Sequence, residues 1–154
     1  MKKKLILISG SPCVGKTAVG TRLFESYDNS AYLDGDWCWC VHPFSVTDSR
    51  LRNGDRSMSF VLSNYLNSGF AYVFFTSVVL TDLQIREGIL KGITAREYET
   101  IAFTLTCSEE TLKNATTSGA TKAKQIITGC TCRPSRGILS LTQIIRVSGM
   151  LPKK

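Results

Sequence analysis

Two hydrophobic patterns alternate along the first 112 residues: short, continuous apolar runs, and apolar residues repeated at helical spacing. A strand buried on both faces of a parallel sheet is continuously apolar, whereas a helix that covers a sheet repeats its apolar positions every three or four residues. The runs predict strands over 5–9, 31–33, 71–80 and 100–107. The repeats predict helices over 17–27, 57–67 and 83–90, and from Ser108 onward. Strands that alternate with helices indicate an α/β fold, with a parallel sheet between two layers of helices.

Local signals mark some boundaries of these elements. Thr81-Asp82 is a favourable N-terminal cap for the helix over 83–90, because a short polar side chain can accept hydrogen bonds from the first-turn N–H groups. The segment 38–53 carries mixed signals, and the dipeptides His42-Pro43 and Asn53-Gly54 are predicted to form turns within it.

A glycine-rich segment, Gly-Ser-Pro-Cys-Val-Gly-Lys-Thr at residues 10–17, lies between the first predicted strand and the first predicted helix. It matches the phosphate-loop (Walker A) pattern in full and in the strand–turn–helix context that the motif requires. Glycines let backbone N–H groups turn toward a phosphate, and the following helix adds positive potential. We call residues 10–17 the phosphate loop. The residues expected to contact nucleotide are Gly10, Ser11, Pro12, Cys13, Val14, Gly15, Lys16, Thr17 and Ala18.

The last two residues of the phosphate loop have distinct expected roles. Lys16 is expected to reach the β- and γ-phosphates as a point charge, and Thr17 to offer its hydroxyl to magnesium. ATP and Mg²⁺ are therefore the expected cofactors. The alternative is a glycine turn that precedes a helix without binding phosphate.

Two carboxylates, in Asp34-Gly35-Asp36, follow the second predicted strand. They should emerge at the carboxyl edge of the sheet, where the phosphate loop also opens. We expect Asp36 to orient or deprotonate a phosphoryl acceptor and Asp34 to support magnesium through water, so Lys16, Asp34 and Asp36 are the candidate catalytic residues. The alternative is a turn whose carboxylates are only solvated.

With the phosphate loop and the segment Tyr-Leu-Asp-Gly-Asp-Trp at 32–37, the chain resembles small P-loop kinases of the shikimate, gluconate and adenylylsulfate kinase type. Residues 34–39 and 42–44 resemble bacterial nucleotide-kinase-like proteins most closely. The resemblance covers about 4–112 and implies a three-layer P-loop NTPase fold. It also implies that Asp34 and Asp36 serve magnesium and the acceptor, and that an arginine-rich lid, a last strand and a helix follow.

The C-terminal part departs from that pattern. Residues 111–154 contain eight Lys or Arg and no Asp or Glu, and only Arg133 and Arg136 are candidate lid arginines. We interpret 1–154 as a single P-loop kinase-like domain in which 113–154 match the family poorly and are atypical or incomplete. The tail is either a working lid or a segment translated from a shifted reading frame, and reading the gene in the neighbouring frames would distinguish the two.

Charge and composition narrow the classes of function. The net charge is +7, which attracts phosphorylated ligands or nucleic acid. No RNA- or DNA-binding signature accompanies it, so nucleic acid is not the expected partner. The apolar run after Lys2–Lys4 is too short for a secretory signal, no apolar stretch is long enough to span a bilayer, and the six cysteines are expected to remain thiols. These features predict a cytoplasmic protein without a membrane partner.

Three functions remain open on the sequence. The first is an ATP-dependent kinase, a phosphotransferase that acts on a small molecule or nucleotide. The second is a nucleotide-binding module without transferase activity, and the third is a basic nucleic-acid-binding domain. For the acceptor side of a kinase, Trp37 and Trp39 are candidates to stack a ring-bearing substrate. Arg50, Arg52 and Arg56 are candidates to bind an anionic one. The alternatives are core packing for the two tryptophans and a solvated surface beside a helix for the three arginines.

Overall fold

The computed structural model describes residues 2–45 and 47–108. Strands and helices alternate along this part of the chain, with a short 3₁₀ helix after the second strand and another after the third. In order they are β1 (Lys3–Gly10), α1 (Lys16–Ser26), β2 (Ser30–Asp34), the 3₁₀ helix Gly35–Trp39, α2 (Leu51–Asn67), β3 (Tyr72–Thr76), the 3₁₀ helix Val78–Thr81, α3 (Leu83–Lys91) and β4 (Tyr98–Leu105). Beyond Ser108 itself, the helix predicted from that residue lies outside the described residues, as do residues 111–154 with the candidate lid arginines Arg133 and Arg136.

The four strands form a parallel sheet in the order β2-β3-β1-β4. β1 pairs with both β3 and β4, so its apolar side chains are buried on both faces of the sheet. Leu5 and Leu7 pack on one face, while Ile6 and Ile8 pack on the other. Because both faces of the strand are buried, these consecutive residues of β1 are all apolar. The predicted α/β fold with a parallel sheet is confirmed.

Helices cover both faces of the sheet. α2 and α3 place Met58, Leu62 and Ile89 against the face that carries Leu5 and Leu7. α1 places Leu23 against the opposite face, near Phe74. The described part therefore has three layers, in which the carboxyl ends of the strands open toward one edge.

Two predicted boundaries were wrong for physical reasons. The strand predicted over 71–80 ends at Thr76, because the Ser77 side chain accepts a hydrogen bond from the N–H of Val79 and begins a 3₁₀ helix. The helix predicted over 57–67 begins at Leu51 instead, so the predicted turn at Asn53-Gly54 is helical. A Cβ at Gly54 would lie 2.6 Å from Trp39 Cδ1, so close packing rather than a turn explains this glycine.

None of the helices in residues 2–45 and 47–108 has both the length and the apolar character needed to cross a membrane.

Candidate functional site

The candidate site lies at the carboxyl edge of the sheet, where β1, β2 and β3 end side by side. The phosphate loop follows β1, and Asp34 is the last residue of β2. In the strand register Asp34 lies opposite Thr76, the last residue of β3, and Thr76 lies opposite Ile8 of β1. Because parallel strands bring their carboxyl ends together, residues far apart in the sequence meet here.

The phosphate loop makes a tight turn that needs glycine at both glycine positions of the motif. Gly10 has φ +148° and Gly15 has φ +95°, values that L side chains rarely adopt. A Cβ at Gly10 would also lie 2.7 Å from the Leu105 carbonyl oxygen. Gly15 caps α1 without a side-chain hydrogen bond, so the first-turn N–H groups of the helix have no side-chain cap. Such a helix end attracts anions.

The next three loop residues face solvent, and Val14 is half-buried. Ser11, Pro12 and Cys13 are exposed, and Cys13 has a left-handed φ of 62° although it is not glycine. Val14 closes the turn by donating its N–H to the Ser11 carbonyl at 3.4 Å. Ala18 follows on the exposed side of the first turn of α1.

Lys16 is folded into the phosphate loop. Its side chain is buried, and its Nζ donates hydrogen bonds to the carbonyl oxygens of Gly10, at 3.2 Å, and Ser11, at 3.1 Å. The ammonium group thus lies inside the turn that the sequence pattern assigns to phosphate, and two backbone carbonyls hold it there.

Thr17 and Asp34 are in direct contact across the site. The Thr17 hydroxyl donates to Asp34 Oδ2 at 2.8 Å, and the N–H of Asp36 donates to Asp34 Oδ1 at 3.2 Å. Both oxygens of the carboxylate therefore have donors. In the part of the chain that the structure describes, no group of three or more His, Cys, Asp or Glu side chains is placed to hold a metal ion.

The Asp36 side chain is hydrogen-bonded to residues that directly follow β3, not to residues of the phosphate loop. Its Oδ1 accepts a hydrogen bond from Ser77 Oγ at 2.8 Å and another from the Val78 N–H at 3.1 Å. Ser77 is fully buried. Sequence reasoning missed Ser77, although the change from apolar to hydroxyl residues at 76–77 is a signal that could have pointed to it.

Tyr32 is a second residue that sequence reasoning missed. Its hydroxyl lies 2.8 Å from Thr76 Oγ1 and donates to Asp34 Oδ2 at 3.4 Å. Burial raises the pKa of the Tyr32 phenol, and the neighbouring Asp34 charge adds to the rise. A strand places residues i and i+2 on the same face, so the Tyr-x-Asp spacing of β2 was the available signal.

Two of the residues considered for acceptor binding are engaged elsewhere. The Trp39 Nε1–H donates to Asp55 Oδ1 at 3.1 Å, and Arg52 pairs with Asp55 at 2.9 Å. The Arg52 guanidinium also lies over the Trp39 ring, 4.7 Å from its centroid. Burial raises the pKa of the Asp55 carboxyl despite the Arg52 charge. These contacts join the 3₁₀ helix Gly35–Trp39 to the first turns of α2.

The other acceptor candidates lie at the surface. Arg50 forms a bidentate pair with Asp48, and its hydrogen bonds lower the pKa of the Asp48 carboxyl to about 2. Arg56 and His42 are exposed. Trp37 is about half exposed, directly after Asp36 in the chain.

Comparisons with known proteins identify the class of fold and show no closer relationship to any protein. Protein-family models give no match, and a search of curated proteins gives none either. Among solved structures, a sugar kinase from Janibacter has a TM-score of 0.58 at 12% identity, covering 86% of this chain and 80% of its own. A gluconokinase from Sinorhizobium meliloti has a TM-score of 0.55 at 16% identity, covering 73% of this chain and 62% of its own. Chaetomium thermophilum Kti12 in complex with ADP-AlF3 has a TM-score of 0.55 at 13% identity, and the match covers 79% of this chain and 68% of Kti12.

These similarities define the class of fold. The parallel sheet, the phosphate loop after β1 and the helices on both faces make this a P-loop kinase-like α/β fold. The solved neighbours include kinases of small molecules, and the identities are too low to relate the chain to any one of them.

Proposed function

We propose that this protein is an ATP-dependent phosphotransferase that acts on a small molecule or a nucleotide. The observation that carries the proposal is the 2.8 Å contact between the Thr17 hydroxyl and the Asp34 carboxylate. This contact joins the phosphate loop to the end of β2, and the N–H of Asp36 donates to the same Asp34 carboxylate, so the proposed donor and acceptor sides of a transfer reaction are adjacent. The P-loop kinase-like fold supports it.

ATP is the proposed phosphoryl donor. The N–H groups of the phosphate loop and the N-terminus of α1 hold its phosphates. Lys16 exchanges its bonds to the Gly10 and Ser11 carbonyls for bonds to β- and γ-phosphate oxygens, which makes the loop interior available to the ligand. The ADP-AlF3 in the Kti12 structure supports a nucleotide as ligand for this fold.

The Thr17–Asp34 pair fits Mg²⁺. At nucleotide sites this ion uses one or two protein oxygens together with phosphates and water. Thr17 would offer a lone pair of its hydroxyl oxygen to the ion while its O–H continues to donate a hydrogen bond to Asp34 Oδ2, and Asp34 would act through a water molecule. When bound, Mg²⁺ supplies charge neutralisation at the β- and γ-phosphates.

Asp36 is the proposed base on the acceptor side. It orients the acceptor hydroxyl and takes its proton while the acceptor oxygen bonds to the γ-phosphorus and the bond to ADP breaks. Ser77 Oγ and the Val78 N–H fix Oδ1 of Asp36, so we propose that the acceptor meets Oδ2.

The test is ATP turnover in the presence of pooled nucleosides, nucleotides, sugars and aminoglycoside-like alcohols. We expect Lys16→Ala to abolish transfer, whereas Lys91→Ala, which removes an exposed lysine of α3, leaves it unchanged. Asp36→Asn should lower turnover by about 10²–10⁴-fold without changing ATP affinity, as expected for loss of a general base. Near-normal turnover by the Lys16 variant would refute the assignment.

A second candidate function is nucleotide binding without transfer, favoured by the acid-free composition of residues 111–154. In that case ATP binds in a calorimeter but no acceptor pool consumes it. The basic composition of the same segment also leaves nucleic-acid binding as an outcome, which a steep salt dependence of oligonucleotide binding would reveal.

A further inference from the structure

Tyr32 and Thr76 form a hydroxyl pair directly beneath Asp34, on the face of the sheet that α1 covers. Tyr32 and Asp34 are two residues apart in β2 and therefore share a face. Thr76 lies opposite Asp34 in the register of β2 and β3, and the residue is 1% exposed. The Tyr32 ring is held in place by the apolar cluster under α1, where it stacks with Phe24 at 6.2 Å between centroids.

The direction of these hydrogen bonds follows from the number of protons available. An ionised carboxylate only accepts, so both hydroxyl groups near Asp34 Oδ2 must donate to it. The phenol of Tyr32 has a single O–H, which donates to Asp34, so in its contact with Thr76 the phenol oxygen accepts a hydrogen bond from the Thr76 hydroxyl. The resulting chain runs from Thr76 to Tyr32 to Asp34, where it meets the hydroxyl of Thr17.

These hydrogen bonds add to the Thr17 and Asp36 donors and restrict the rotation of the Asp34 carboxylate further. The terminal torsion of Asp is broad, so hydrogen-bond donors decide where its oxygens point. The Tyr32 bond is long at 3.4 Å, which makes Thr17, at 2.8 Å, the stronger donor to Oδ2. Tyr32 thus acts as a second, weaker donor on the same oxygen.

We infer that Tyr32, oriented by Thr76, is a positioning residue that holds the Asp34 carboxylate toward Thr17 and thereby sets the affinity for the Mg²⁺–nucleotide. The inference rests on the proposed function, because Thr17 and Asp34 are the groups proposed there to serve the metal. Partners in the outer shell of metal sites typically change metal affinity about 10–100-fold when removed. The length of the Tyr32–Asp34 bond places our expectation near the lower end.

The experiment measures ATP binding to the full chain by calorimetry, without metal and across a Mg²⁺ titration. We expect Tyr32→Phe to raise the half-saturating Mg²⁺ concentration by about tenfold, while the affinity for metal-free ATP stays at the wild-type value. Thr76→Val should act in the same direction, because the phenol loses the group that orients it. Tyr65→Phe is the matched control, since it removes a phenol hydroxyl on α2, on the other side of the sheet.

A double variant separates positioning from stability. Tyr32→Phe leaves the buried Thr76 hydroxyl without its partner, whereas Tyr32→Phe combined with Thr76→Val removes both polar groups and should recover stability. If positioning is the cause, the double variant keeps the metal defect although its melting temperature recovers. If the metal defect instead disappears with the recovered stability, the inference is overturned.

The outcomes for the two proposals are distinguishable. Wild-type Mg²⁺ dependence in Tyr32→Phe overturns the positioning role and leaves the kinase proposal standing. Metal-dependent ATP binding that responds to Tyr32→Phe, without transfer to any acceptor pool, supports the positioning role and removes the kinase proposal. Failure of the wild-type chain to bind ATP with or without Mg²⁺ overturns both.

Discussion

Ser77→Ala is the substitution that most directly tests how Asp36 is held. Ser77 is fully buried, its Oγ donates to Asp36 Oδ1 at 2.8 Å, and the same Oγ accepts from the Val79 N–H at 3.3 Å. A hydrogen bond to a charged group contributes about 1.5–3 kcal/mol, and a buried N–H left without a partner costs about 1–3 kcal/mol. Asp36 is exposed and keeps its bond from the Val78 N–H, so the first contribution lies at its lower end. We expect the free energy of unfolding to fall by about 2.5–4.5 kcal/mol.

The assay is urea unfolding followed by tryptophan fluorescence, since Trp37 and Trp39 lie in the 3₁₀ helix that carries Asp36. Ser57→Ala is the matched control, because that hydroxyl is exposed and donates to a carbonyl within its own helix. The control should change stability by no more than about 0.5 kcal/mol. If Ser77→Ala is as mild as the control, the buried hydroxyl does not hold Asp36 and the reasoning fails.

Three further substitutions test separate parts of the fold and site. Asp82→Ala removes the carboxylate that caps α3 through bonds of 2.9 and 3.0 Å, and should lower the free energy of unfolding in urea by about 1 kcal/mol; no change would show that the cap contributes nothing. Gly20→Ala would place a Cβ 2.6 Å from Thr76 Cγ2. Although alanine has the better helix propensity, this overpacking should lower the free energy of unfolding by about 1–3 kcal/mol. A higher melting temperature in calorimetry would contradict this expectation. Burial raises the pKa of the Cys38 thiol, and the Asp34 charge raises it further. Asp34→Asn should therefore lower that pKa and speed the alkylation of Cys38 at pH 8, measured by peptide mass spectrometry. An unchanged rate would show that the Asp34 charge does not affect the thiol.

The parts of the site that sequence predicts are those encoded by local chemistry. The glycines of the phosphate loop are needed where φ is positive, and Lys16 and Thr17 follow at a fixed spacing in the chain. Asp34 could be placed at the same edge because parallel strands share the direction of their carboxyl ends. Each of these inferences needs only the neighbours in sequence and one general rule of topology.

The parts that sequence reasoning missed depend on strand register and packing. Tyr32 meets Thr76 only because β2 pairs with β3 in a register that sets Asp34 opposite Thr76. Gly54 resembles a turn residue, but its position against Trp39 is decided by how α2 packs on the 3₁₀ helix. Tertiary contacts of this kind override local propensity, and one sequence alone does not specify them.

The end of β3 organises both carboxylates although it carries none itself. Thr76 reaches Asp34 through the Tyr32 phenol, while the adjacent Ser77 holds Asp36 directly. These two hydrogen-bond paths meet where the N–H of Asp36 donates to Asp34 Oδ1 at 3.2 Å. Loss of Tyr32 should therefore affect chiefly the metal side of the site, and loss of Ser77 chiefly the acceptor side. Because the N–H of Asp36 links the two paths, each loss should also have a weaker effect on the other carboxylate. The effects of losing Tyr32 and Ser77 should therefore not be additive when the two substitutions are combined.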